Sequence, residues 1–180
     1  PARCARRWVC YETQVDTHPK RLGRRAVERV LDLADERRRL DERTSPATKI
    51  AQRALFLEYR RRVGAGEPLP SVWETGFRVF SQFDEDGVVL FLLGAAGLGT
   101  CRFVDLGAGD GTTASNCANL ALNLGFDGVF VDARGREVDR GRRFYSAHPD
   151  TRERPPVFVE AFLTRDNVDE LLTRAGIEGD

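Results

Sequence analysis

Three glycines spaced by single residues follow a short apolar run that ends in an acid: Asp105-Leu106-Gly107-Ala108-Gly109-Asp110-Gly111. Glycines let the backbone turn sharply and let a ligand approach where Cβ atoms would otherwise stand. Between a strand and a helix, such a loop lies beside a helix N-terminus whose free amides and partial positive charge suit a nucleotide-type ligand. Two ligand classes compete for it. A dinucleotide turn needs Gly-x-Gly-x-x-Gly to press a pyrophosphate against the helix. Here Gly111 comes one residue early, and Thr112 stands where the third glycine of that spacing belongs. Asp105 and Asp110 would repel a pyrophosphate. They suit a cation, such as the methionine end of S-adenosylmethionine with its ammonium and sulfonium. The acid pair therefore selects the methyl donor over NAD.

Further candidates lie downstream. Asp132, followed by Ala133, closes a second apolar run 21 residues beyond Gly111. An acid there can accept both ribose hydroxyls of a nucleoside. Glu160, Ala161 and Phe162 end a third run, where a backbone amide and an apolar side chain can frame adenine. Asn116 faces the loop by position. Plainer readings stand beside these: a strand-end acid for Glu160 and a helix-surface amide for Asn116. No residue qualifies as a catalytic base. His148, before Pro149, reads as a surface histidine, so the catalytic residues stay unassigned. Cys4, Cys10, Cys101 and Cys117 form no CxxC pair, and with only His18 and His148 beside them no zinc site is expected. Cys101 and Cys117 read as buried small hydrophobes, and Cys4 and Cys10 as free thiols, which points to a cytoplasmic compartment.

These residues need elements to position them. Val27, Val30, Leu31 and Ala34 fall at helical spacing and predict a helix over about 22–40. Ser45-Pro46 is a cap followed by a first-turn proline, and opens a second helix that Gly64 is expected to stop. Residues 64–71 (GAGEPLPS) read as a linker, and an aromatic-rich stretch runs from Trp73 to Phe83. A helix of about ten residues should run from Glu85-Asp86-Gly87 into Leu93. Alternation then sets in. The expected order is strand Cys101–Leu106, helix Thr113–Leu124, strand Gly128–Asp132, helix 136–145 and strand Pro156–Phe162. A last helix is capped by Thr164, carries Val168, Leu171, Leu172 and Ala175 on one face, and is closed by Gly176. This is the order of βαβ units on a parallel sheet. The expectation is an α/β fold: a Rossmann-like parallel sheet of about three strands, preceded by an α-helical N-terminal region. The domains divide as 1–70 and 71–180.

Charge follows that division. Residues 1–70 carry 17 Lys+Arg against 10 Asp+Glu, and the remainder is acidic, within a chain of zero net charge. The Arg-rich helices lack interleaved aromatics and alternate bases with acids, so a solvated, salt-bridged face is expected rather than a nucleic-acid partner. No apolar run approaches the ~18 residues that span a bilayer, so no membrane partner is expected. Residues 1–10 lack the apolar stretch of a secretory signal. The chain begins with proline and contains no methionine, so it is not expected to start at a native translation start.

Two stretches together resemble the FkbM-like methyltransferases. The first, Ser81-Gln82-Phe83-Asp84-Glu85-Asp86-Gly87, is similar to that family's SQ…EDG element. The second is FVDLGAGDGTTASNCANL (103–120) with GFDGVFVDA (125–133). The resemblance covers about residues 80–176. It implies a Rossmann-type fold, S-adenosyl-L-methionine as cofactor, and O-methylation of a small-molecule or glycan hydroxyl. It also implies that Gln82 and Asp86 reach the donor's methionine end. Such domains have seven strands, and this chain stops where the fourth is expected. It should hold most of a donor site and little of an acceptor site. A non-catalytic donor-binding module is the alternative, and an RNA methyltransferase using the basic N-terminal region is another. A sheet that ends at its first strand exposes an edge, and self-association through it is expected.

Overall fold

The structure is a computed structural model and describes residues 19–174. Three runs rich in valine and phenylalanine form the strands β1 (Arg102–Leu106), β2 (Asp127–Asp132) and β3 (Val157–Glu160). They are parallel and lie in the order β1-β2-β3. Each strand carries the same kind of triplet: Phe103-Val104-Asp105, Phe130-Val131-Asp132 and Phe158-Val159-Glu160. Side chains alternate across a pleated sheet. Each phenylalanine therefore shares a face with the acid two residues later, and the valines point the other way. Phe130 lies opposite Phe158 in the ladder, and Asp132 opposite Glu160. The rings form one layer, with Phe103–Phe130 and Phe130–Phe158 centroids both 4.9 Å apart. The acids follow at the C-terminal ends of the strands.

Helix α5 (Gly135–Ala147) covers that aromatic layer. Tyr145 is fully buried, with its ring 5.3 Å from Phe130 and 5.6 Å from Phe158. Gly141 permits the approach, because a Cβ there would stand 2.3 Å from the Phe158 ring. Earlier in the chain, α2 (Pro46–Ala65) packs on α3 (Glu85–Ala96), with Tyr59 edge-on to Phe91 at 5.2 Å. A 3-10 turn, Val72–Glu74, lies between them in sequence. The short α4 (Ala118–Asn123) is tied to α2 by a reciprocal, buried amide pair. Gln52 Nε2 donates to Asn119 Oδ1 at 3.2 Å, and Asn119 Nδ2 donates to Gln52 Oε1 at 2.7 Å.

The chain divides into two compact units after Leu40 rather than in the 64–71 linker. The first holds most of α1 (Pro19–Arg43), whose Val27, Val30 and Leu31 make the expected stripe and are exposed. The second holds α2 with the sheet, because Gln52 and Tyr59 bind α2 to the α/β layers. Among the described residues no helix is long and apolar enough to cross a membrane.

Several expected boundaries move, each for a local reason. Ser45 caps α2 as expected, its Oγ accepting the Thr48 amide at 3.2 Å. The left-handed stop is Gly66 (φ 65°), not Gly64, because the closing bonds run from Gly66 to Val63 and from Glu67 to Arg62. The helix expected from Thr113 begins only at Ala118. The Thr112 and Thr113 amides are captured by the Asp110 carboxylate, and Ala114 takes a left-handed φ of 52°. Strand β3 is shorter than expected and ends at Glu160, although the Ala161 amide still reaches Asp132 O at 3.0 Å. The last helix, α6 (Val168–Arg174), starts four residues beyond Thr164, whose amide instead donates to Asn167 Oδ1 at 2.8 Å. Cys4, Cys10, His18, Ala175 and Gly176 lie outside the described residues.

Candidate functional site

The glycine loop folds back over the end of β2. Gly107 and Ala108 both donate their amides to Val131 O, at 2.8 and 3.0 Å. Gly109 donates to Asp132 Oδ2 at 2.8 Å, and Gly111 to Ala108 O at 2.9 Å. The φ angles of Gly107, Gly109 and Gly111 are 85°, 61° and 69°, so a side chain at any of the three would be strained. From beneath, the buried Tyr145 hydroxyl donates to Gly111 O at 2.6 Å and holds the loop to α5.

Beyond the loop, Asp110 organises the next turn. Its Oδ1 accepts the amides of Thr112 and Thr113 and the Thr112 hydroxyl, each at 2.9 Å. Its Oδ2 accepts the Thr113 hydroxyl at 3.2 Å and faces Arg140 Nη1 at 3.5 Å. Burial works to raise the Asp110 pKa, but the Thr113 and Thr112 donors outweigh it and hold it below the usual carboxylate value. Both oxygens of Asp110 are thus engaged within the protein. So are the amides of Gly107, Ala108, Gly109, Gly111, Thr112 and Thr113, and the Cys117 and Ala118 amides end on Ser115 Oγ. Most of the amides expected to be free at the loop and the following helix start are thus committed internally rather than offered to a phosphate.

The strand-end acids differ. Asp105, half-buried at the end of β1, takes the Ser115 hydroxyl on Oδ2 at 3.1 Å. Burial raises its pKa, against the Ser115 and Cys117 donors, and the charge of Asp132 adds to the rise. Burial and the charge of Asp105 push the Cys117 thiol up to about 12, so it remains protonated. Asp132 is buried, and its Oδ1 accepts the Arg134 amide at 2.8 Å and Arg134 Nε at 3.1 Å. Burial opposes ionisation of Asp132, but the Arg134 and Gly109 donors prevail and its pKa is lowered. The exposed Arg134 guanidinium extends over the loop: a Cβ on Gly109 would stand 3.1 Å from its Nη2.

The remaining candidates fall into three places. Asp86 is buried in the first turn of α3, against the segment that precedes the helix. Its Oδ2 accepts the amides of Val79, Phe80 and Ser81 at 2.7–2.9 Å and the Ser81 hydroxyl at 2.9 Å. Asp86 Oδ1 is buried without a partner. Gln82, Asn116 and Ala133 are exposed. Glu160 is exposed beside the first turn of α5, where a Cβ on Gly135 would meet its carboxylate at 2.8 Å. Of the backbone amides at the end of β3, where one was expected to frame adenine, that of Ala161 is taken by Asp132 O, and Phe162 is exposed.

Ser115, Arg134 and Tyr145 escaped the reading from sequence. Ser115 carries a cap signal, a serine three residues before the buried Ala118, but a helix drawn from Thr113 hides it. Arg134 adjoins Asp132 and Ala133 and has no motif of its own. Nothing local marks Tyr145; only the packing of α5 brings it to Gly111. His148 caps the far end of α5, a helix of 13 residues that places it about 20 Å from Gly135. There its Nδ1 accepts the Asp150 amide at 3.3 Å, and burial lowers its pKa. Comparison with protein-family models, with curated proteins and with solved structures finds no match for this chain.

Proposed function

We propose that the chain binds S-adenosyl-L-methionine at the C-terminal ends of β1 and β2 and serves methyl transfer to a small-molecule or glycan hydroxyl. The observation that carries this reading is the hydrogen-bond inventory of the loop. The amides of Gly107, Ala108, Gly109, Gly111, Thr112 and Thr113 are spent on Val131, Asp132, Ala108 and Asp110, while two carboxylates, Asp105 and Asp132, stand at the strand ends beside them. An anion-binding loop needs the opposite arrangement, with amides free and acids absent. A ligand with an ammonium and a vicinal diol suits what is here.

Bound there, the donor would supply a methyl group carried on its sulfonium sulfur. The chain's own residues bind and align. Asp132 accepts the ribose hydroxyls in place of its side-chain contact with Arg134. Asp105 faces the ammonium. Gly107 and Gly109 keep Cβ atoms out of the way, whereas Gly111 lets the loop close on the Phe130 and Phe158 rings, and Ala108 is the smallest chiral residue between them. Asp86 and Asp110 set the shape of the walls. Gln82 and Asn116 are exposed, as are Glu160 and Phe162 at the end of β3. The choice of a hydroxyl acceptor rests on the resemblance of residues 81–87 and 103–133 to the FkbM-like methyltransferases. Calorimetric titration tests the donor reading. Saturable binding of S-adenosylmethionine and S-adenosylhomocysteine, with none of NAD, is expected. Tight NAD binding without a response to either would overturn it.

A further inference from the structure

Ser115 is buried, and its hydroxyl meets three groups at once. The amides of Cys117 and Ala118 point at its oxygen from 3.2 and 3.1 Å. Asp105 Oδ2 lies 3.1 Å away. A serine hydroxyl has one proton and two lone pairs. Two amides occupy both lone pairs, which leaves the proton a single destination. We propose that Ser115 is the positioning residue of the donor site: its only proton goes to Asp105 Oδ2 and ties that carboxylate to the start of α4, so Asp105 meets a cationic ligand already oriented. The role rests on the donor reading above, but the hydrogen-bond direction does not.

The surroundings make the contact consequential. Asp105 faces Asp132 on β2, Cys117 before α4 and Tyr145 on α5, and Asp86 on α3 acts on the same thiol. Burial and the Asp132 charge favour a protonated Asp105, while Ser115 and Cys117 favour the carboxylate. Removing the serine proton tips that balance toward the acid form and frees the carboxylate to rotate. A ligand ammonium then finds its partner less ionised and less aligned. The loss should begin at higher pH than in the wild type.

The test uses the full chain with S-adenosylhomocysteine as probe and follows affinity from neutral pH downward. Ser115→Ala is expected to bind about tenfold more weakly, with its acid limb moved to higher pH. Ser115→Thr, which keeps a hydroxyl, should restore both. Cys117, not Ser115, is the N-cap of α4, so Ser115→Gly, which removes the same hydroxyl, gives a second variant in which to read the loss of the proton if the alanine variant unfolds. The Asp105 carboxyl is also titrated by NMR without ligand, and its pKa should rise in Ser115→Ala and Ser115→Gly. Unchanged affinity and an unmoved Asp105 titration in the folded variants would overturn the proposal. A moved titration in a chain that binds no probe would overturn the donor reading and leave the Ser115–Asp105 direction standing.

Discussion

Asp105 at the end of β1 and Asp110 in the loop that follows are five residues apart, yet the fold uses them in opposite ways. Asp110 is saturated: two threonine amides, two threonine hydroxyls and Arg140 surround it. Its charge is satisfied from inside, and its pKa is lowered. Asp105 is poorly satisfied: it leans on Ser115 and Cys117, lies near the like charge of Asp132, and its pKa is raised. A carboxylate held down by amides stabilises the fold. One held up by burial keeps its charge at a cost that a cationic partner can offset. The contrast separates a shaping acid from a binding acid where the sequence shows two equivalent ones.

The sharpest way to break this comparison is to remove each acid in turn. Asp110→Ala strips acceptors from two amides and two hydroxyls. A loss of about 2 kcal/mol in urea unfolding is expected, with ligand affinity falling because the loop loosens. Asp105→Asn should do the reverse. Stability should be unchanged or slightly raised, since a penalised charge is gone, while calorimetry should show affinity for S-adenosylhomocysteine down at least about tenfold. If both variants lose stability alike, the division of roles is wrong. Tyr145→Phe tests the anchor under the loop. Losing the 2.6 Å bond to Gly111 O should cost about 1 kcal/mol, seen as a lower Tm and faster amide exchange at Gly109 and Gly111.

The smallest effect is expected from pH alone, and its sign differs for the two acids. Asp105 has a raised pKa, so it takes up a proton above the ordinary carboxylate value, and that uptake favours the folded state. Asp110 and Asp132 have lowered values. Their stabilisation is complete above the ordinary value and is lost as pH falls through the folded one. Ligand affinity should therefore decline first on acidification, while thermal melts hold, and the fold should weaken only at lower pH. Coincident losses of affinity and fold would count against the assignment.

Much of the architecture was legible. The alternation of Val and Phe around single acids marks three strands, and period-two geometry alone puts Phe103 with Asp105, Phe130 with Asp132, and Phe158 with Glu160. Ser45-Pro46 marks the start of α2 for equally local reasons. The start of α4 was not legible, because Thr112 and Thr113 read as helix until Asp110 claims their amides. Neither was the attachment of α2 to the sheet unit, which depends on Gln52 meeting Asn119, 67 residues away. Of the candidate site, the glycine spacing and the acids of β1 and β2 were visible, but their division of labour was not.

Sequence by itself determined the strands, their parallel order of βαβ units, and the placing of acids at the strand ends. Those follow from side-chain periodicity and from what glycine and proline do to a backbone. Only the tertiary structure decided where each hydrogen bond of the loop terminates: on Val131, on Asp132, on Tyr145, on Ser115. A donor's partner is set by which groups packing brings within about 3 Å, and residues distant in sequence compete for it on equal terms with neighbours. That competition leaves Asp105 incompletely satisfied and Asp110 closed.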